Sequence, residues 1–530
     1  MQPSFLCEVF VIVVKNLVWM MFGLVLSLWY PIAIAAASEP PSAVNIRKAV
    51  NTNVEPAVSL YREFLGLPND AQHPADIEHL IAWMEGAFAE RGFETQRVDT
   101  AGSPALYAGR HVDYDQKTLL VYLQADGQPV DPGAWDQADP FLAVLKQQDS
   151  NGRWSEIPWE RMEQGVDLDW RVFARSASDS KGPMTQFLMA IELLDDAGFM
   201  PDYNLKVIVD TEEEMGSPNL ADAIRANVDL FAADMLLIFD GPPHASNRPT
   251  VSFGARGIAT ITLTTYGPKV AQHSGHYGNF VPNPAFHLSR ILASMKSADG
   301  VVQIPGFYDG VELSDETRAV LAAVPDDEAA ILASMGLSTS DAVGDSLQEA
   351  LQYPSLNIRG MAAAWIGQES RTIIPPTATA EIDVRLVAES DPERLIGLIR
   401  SHVEGQGFHV LDREPTDAER AEHPRIASFT YDISYAAFRS DFDSPAGMMA
   451  RGGMRHLYGE EPILIRSMGG SIPISPIIEA LNVPAASVPT VNIDNNQHSP
   501  NENLRMGNFI EGIAILMSVL SQSTEPREGD

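Results

Sequence analysis

The sequence predicts an α/β protein, a mostly parallel sheet flanked by helices, interrupted by an inserted α+β domain of ferredoxin-like order. Three observations carry that expectation. From about residue 46 to 251, short apolar runs alternate with stretches of helical periodicity. From 252 to about 415 the strands turn to period two, as half-exposed antiparallel strands do. From 416 to 522 the first pattern returns. A chain of 530 residues also exceeds what one compact core usually holds.

The elements follow in order. "NLVWMMFGLVLSLWYPIAIAAAS" comes after Lys15 and ends in small residues. Basic residue, apolar core and small-residue exit read as a secretory signal over residues 1–37, so a periplasmic or secreted protein is expected. The run is also long enough to span a bilayer as an uncleaved anchor, and a membrane enters only on that reading. Cys7, the one cysteine, lies inside it, so the mature chain would form no disulfide. Next, "ADIEHLIAWMEGAFAERGF" has helical spacing and a Gly after its last turn, and "MTQFLMAIELLDDAG" repeats the device. "KTLLVYLQAD", "NLKVIVDTEEE" and "DMLLIFDG" are strand-like runs that each end in acidic residues. In such sheets ligands gather at the carboxyl ends of the strands.

In the inserted region "GIATITLTTYG", "NPAFHLSRILASM", "TATAEIDVRLVA", "DPERLIGLIRSHVEGQG" and "FHVLDRE" supply its strands and helices. "PDDEAAILASMGLSTSDAVGDSLQEALQ" reads as a helical insertion within it, and "PAASVPTVNI" and "NFIEGIAILMSVLSQ" close the chain as strand and helix. Hydrophobic residues at 45% and charged residues at 20% are the balance of a globular protein. The net charge of -35 repels nucleic acids and anionic lipid surfaces, which excludes nucleic acid as a partner class.

Five clusters fall at strand ends or in adjoining loops: Gln124-x-Asp126, "SASDSKG" with Asp179, "DTEEEMGS" with Glu213 and Glu214, "IFDGP" with Asp240, and "NNQHSPNE" with His498. Singly, each reads as a helix cap or a solvated loop residue. Together with "QHSGHYGNFVPNP", "GFYDGVELS", "RTIIPPTATAEIDVRLVAESDPERL" and "GGSIPI", they resemble the dinuclear-zinc exopeptidase family of carnosine dipeptidases, carboxypeptidase G, aminoacylase-1 and succinyl-diaminopimelate desuccinylase, closest to the carnosine-dipeptidase branch.

The resemblance implies a metal-binding α/β catalytic domain in two parts (46–251 and 416–522) and an inserted lid and dimerisation domain (252–415). It implies two divalent metal ions, zinc in the first instance. Asp179 resembles the carboxylate bridging them, Glu214 and His498 the other ligands of one, Asp240 and the position held by Gln124 those of the second. Glu213 resembles the general base and Asp126 the carboxylate behind the first motif. His273 resembles a residue that reaches the partner's active site, and Arg385 the anchor of a substrate carboxylate. Gly469, Gly470, Ser471 and Asn283 resemble substrate contacts. The implied reaction is hydrolysis of a peptide or N-acyl amide bond next to a free carboxylate, in a homodimer. Gln124 departs from the family, which has histidine there. An amide oxygen suits harder ions than zinc, so a labile or manganese-preferring second site is expected. The alternative function is a weakened, amide- or peptide-binding relative with an incomplete metal site.

Overall fold

The strand Thr118–Gln124 is buried from its second residue onward, and its two faces serve two cores. Leu119, Val121 and Leu123 pack into one, Leu120 and Tyr122 into the other. A strand covered on both faces needs a nearly continuous apolar run, which is why "TLLVYLQ" shows no alternation. The computed structural model describes residues 39–113 and 115–524. The expected signal segment lies outside them. Among the described residues no helix is long and apolar enough to cross a membrane.

The large sheet has eight strands in the order Glu94–Val98, Ala105–Arg110, Asn204–Asp210, Thr118–Gln124, Met235–Ile238, Ala485–Ser487, Thr250–Ser252, Ile463–Ile465. Its central pairings are parallel, so the carboxyl ends of Thr118–Gln124, Asn204–Asp210 and Met235–Ile238 lie side by side. The helices Pro74–Ala89, Gly182–Asp196, Pro445–Tyr458 and Met506–Leu520 cover one face, and Leu220–Ala226 with Ser475–Leu481 cover the other. The two helices expected to stop at glycine do so, with Gly92 and Gly198 at φ of 75° and 71° just past their ends.

The second sheet has five strands, ordered Ser355–Ala362, Thr377–Leu386, Gly257–Tyr266, Ile426–Tyr435, His409–Leu411. Helices Pro284–Met295 and Pro392–Gly405 pack on it around Ile261, Leu263, Ile382 and Val384. Chain order is strand, helix, two strands, helix, strand, as expected, but the closing strand is a different one. "FHVLDRE" supplies only a short parallel edge strand, His409–Leu411. The long strand that pairs with the other edge of Gly257–Tyr266 is Ile426–Tyr435, beyond the expected edge at 415. The periodicity hides it. Residues 426–429 are buried in succession and 430–432 are exposed in succession, so no alternation marks the segment.

A four-stranded side sheet went unread in the sequence. In it Arg171–Phe173 pairs antiparallel with Asn503–Arg505. Phe173 faces Asn503, so the loop leaving one strand and the loop entering the other meet at the same end. Those loops carry Asp179 and His498.

Candidate metal centre

Asp179 organises the site. Its loop is buried from Arg175 to Lys181 and runs into the helix Gly182–Asp196. Gly182 has no tolerable substitute, because a Cβ there would collide with the carbonyl oxygen of Ala177. The two carboxylate oxygens of Asp179 face different neighbours. Oδ2 lies 2.9 Å from His498 Nε2, which is itself 3.2 Å from Glu214 Oε2. Oδ1 accepts a 2.8 Å hydrogen bond from the amide of Gln124. On that side Ser180 Oγ lies 3.5 Å from Asp179 Oδ1 and donates to Asp240 Oδ1 at 2.6 Å. The structure thus places His498 and Glu214 on one side of Asp179, and Gln124 with Ser180 and Asp240 on the other.

Asp126 is fully buried and accepts the backbone N–H groups of Glu213 at 3.0 Å and Glu214 at 3.1 Å, one on each oxygen. It fixes the turn that presents both glutamates. Glu212, the first of the three, accepts from Ser103 N and Asn219 Nδ2, which ties it to structure. Glu214 accepts from Gln128 Nε2 at 2.8 Å. Among the described residues the carboxylate of Glu213 has no hydrogen-bond partner, so it is free to act on a substrate or a water.

The electrostatics call for a cation. Burial, then the neighbouring Asp179, pushes Asp240 up to about 7 and Glu214 up to about 8. Burial and the charges of Asp240, Asp179, Glu214 and Asp126 hold Glu213 well above the usual carboxylate range. The hydrogen bond to the Asp179 carboxylate raises His498 to about 9. Without metal, such a cluster relieves its charge by binding protons. Ligand atoms of Asp179, Glu214 and His498 lie within 4.8 Å of one another, so one ion can touch all three. Two carboxylates and an imidazole are a donor set that suits zinc. His498 sits at φ 61°, in the left-handed region that histidine enters more readily than most residues other than glycine.

The remaining expected residues lie in or beside the inserted sheet. Arg385, on Thr377–Leu386, donates to Ser471 Oγ at 2.7 Å, which joins two of the expected substrate contacts. Gly469 and Gly470 are exposed beside them. His273 is exposed, and its ring nitrogen accepts from Gly275 N, capping the short helix Ser274–Tyr277. Asn283 spends its side-chain oxygen on Ala285 N, capping Pro284–Met295.

Sequence reasoning missed Glu502, Gln128 and Ser180. Glu502 lies four residues past His498, inside a phrase already singled out, and that proximity was the one available signal.

Buried carboxylates converging at the carboxyl ends of parallel strands, with an uncommitted glutamate beside a three-ligand cluster, define a metal-dependent hydrolase. The chain belongs to Peptidase family M20/M25/M40, whose model matches residues 143–522. It is 27% identical over 422 residues to the Cys-Gly metallodipeptidase of Schizosaccharomyces pombe, covering 77% of this chain and 80% of that protein. The human Beta-Ala-His dipeptidase is 22% identical over 504 residues, 91% of this chain and 93% of its own. Among solved structures, an M20 family metallo-carboxypeptidase from Sulfolobus solfataricus matches with a TM-score of 0.69 and 27% identity, over 88% of this chain and 98% of that one. The protein is thus a metallopeptidase.

Proposed function

We propose that this protein is an exported homodimeric dipeptidase that hydrolyses the amide bond next to a free carboxylate, with N-acyl amino acids as a second substrate class. The observation that carries the reading is the free Glu213 carboxylate beside the Asp179–Glu214–His498 cluster. Relatives named for Cys-Gly and Beta-Ala-His dipeptides support a small peptide substrate. The sequence before residue 38 supports export.

Asp179, Glu214 and His498 would hold one zinc ion, and Asp179, Asp240 and Gln124 a second divalent ion. Bound metal lowers the pKa of water and polarises the scissile carbonyl. Glu213, which ligates nothing, takes the proton from the attacking water and returns it to the leaving amine. Asp126 keeps that carboxylate in place through the backbone of residues 213 and 214. Arg385, whose planar fork matches a carboxylate, binds the substrate's free end, with Ser471 beside it. His273 completes the partner's site across the dimer. Phe280 and Ile366, 85% and 89% exposed, lie seven residues in sequence from His273 and from its ladder partner Ile373, and support a second copy there.

The test is turnover of Cys-Gly, β-Ala-His and N-acetylated amino acids by protein loaded with zinc or manganese. Hydrolysis should disappear with chelator and return with metal. Glu213→Gln should lose at least ~10²-fold in rate while keeping its metal. Bound metal with no turnover on any substrate would favour the ligand-holding alternative, for which the amide of Gln124 seated on Asp179 is the supporting contact.

A further inference from the structure

The carboxylate of Glu502 is 1% exposed, among the most deeply buried charges near the site, and it meets the cluster through the backbone of Asp179 rather than through a ligand atom. Its Oε1 accepts three hydrogen bonds, from Ser178 N at 2.9 Å, Ser178 Oγ at 2.9 Å and Asp179 N at 3.0 Å. Its Oε2 accepts from Ser176 N at 2.9 Å and from Arg175 Nη1 at 2.9 Å. Five donors thus surround one side chain, and four of them belong to the three residues Ser176, Ser178 and Asp179. Glu502 also ends the loop that carries His498, and the Phe173–Asn503 ladder pair holds the two loops together immediately beyond.

We infer that Glu502 is the positioning residue that makes the ligands of the metal centre interdependent: it fixes the Asp179 loop to the His498 loop. The inference rests on the metal-site reading above. A carboxylate is required because every group facing it is a donor. Glutamine in the same place would turn an NH2 toward the N–H groups of Ser178 and Asp179 or toward Ser176 and Arg175, leaving donors opposed to donors. Because Asp179 faces both ligand sets, displacing its loop should weaken both metal sites together. Arg175 has a different part. Its guanidinium neutralises Glu502, lies 5.3 Å over the ring of Trp135 and makes only long 3.5 Å contacts to the carbonyls of Ser499 and Pro129, so it offsets the burial of the charge, while the N–H groups of Ser176, Ser178 and Asp179 depend on Glu502 itself.

The two residues therefore separate by experiment. Apo protein is titrated with zinc against a chromophoric chelator, and its melting temperature is measured with and without zinc. Glu502→Gln should weaken zinc binding about 10- to 100-fold, the range seen when groups behind metal ligands are removed. Arg175→Met should lower the apo melting temperature and leave zinc affinity within a fewfold of wild type. Should Glu502→Gln not fold, the double variant Arg175→Met/Glu502→Gln removes both charges together and should fold with the same weakened zinc binding. Equal zinc affinity in wild type and in the folded variants that carry Glu502→Gln would overturn the inference. Absence of zinc binding by the wild type would instead overturn the metal-site reading.

Discussion

Replacing Gln124 by histidine supplies the imidazole that the sequence resemblance implies at this position, and the structure sets the size of the effect. Oδ1 of Asp179 is held by the Gln124 amide at 2.8 Å, while Oδ2 faces His498. A second cation can use Oδ1 only if that hydrogen bond is given up or the amide turns its oxygen inward. A hydrogen bond to a charged group contributes about 1.5–3 kcal/mol, so the competition weakens the second ion by roughly 10- to 100-fold. Imidazole has no such NH2 group and is the better ligand for zinc. Gln124→His should therefore tighten the second zinc by about that factor and leave the first unchanged, since His498 and Glu214 lie on the other oxygen. In the wild type, dialysis should remove one ion first, activity should fall with it, and manganese should restore activity better than zinc. Stoichiometry by elemental analysis, with titration of activity by each metal, reads the outcome. Two equally tight zinc ions in the wild type, or an unchanged second site in Gln124→His, would refute the reasoning.

Three further outcomes are expected. Arg385→Ala should lower kcat/KM by roughly two orders of magnitude for substrates with a free carboxylate and much less for their amides, because a bidentate charged contact is lost; equal losses on both would remove Arg385 as the anchor. His273→Asn keeps a side chain able to cap the helix Ser274–Tyr277 but has no imidazole, so it should inactivate without unfolding. Mixing His273→Asn with Glu213→Gln subunits should regain part of the activity, since a mixed dimer holds one intact composite site, and a fully active monomer would contradict this.

What could be read from the sequence, and what could not, divides along a physical line. Asn204–Asp210 and Thr118–Gln124 announce themselves because doubly covered strands must be apolar throughout, and the acidic residues stand out because they follow such runs. Glu212, Glu213 and Glu214 could not be sorted by any property of the triplet itself. Their differing surroundings come from Ser103, Asn219, Gln128 and His498, residues brought in by other turns of the chain. Glu502 offered no more than its closeness to His498, its partners lying 323 to 327 positions away. Ile426–Tyr435 hid because half of it is covered and half is bare. Periodicity reports which faces are wet, and composition reports which residues can bind metal. Neither reports which backbone N–H a buried carboxylate will meet. At this centre the sorting comes from outside the triplet: Ser103 and Asn219 hold Glu212, Gln128 and His498 hold Glu214, and among the described residues Glu213 is the carboxylate left without such a partner.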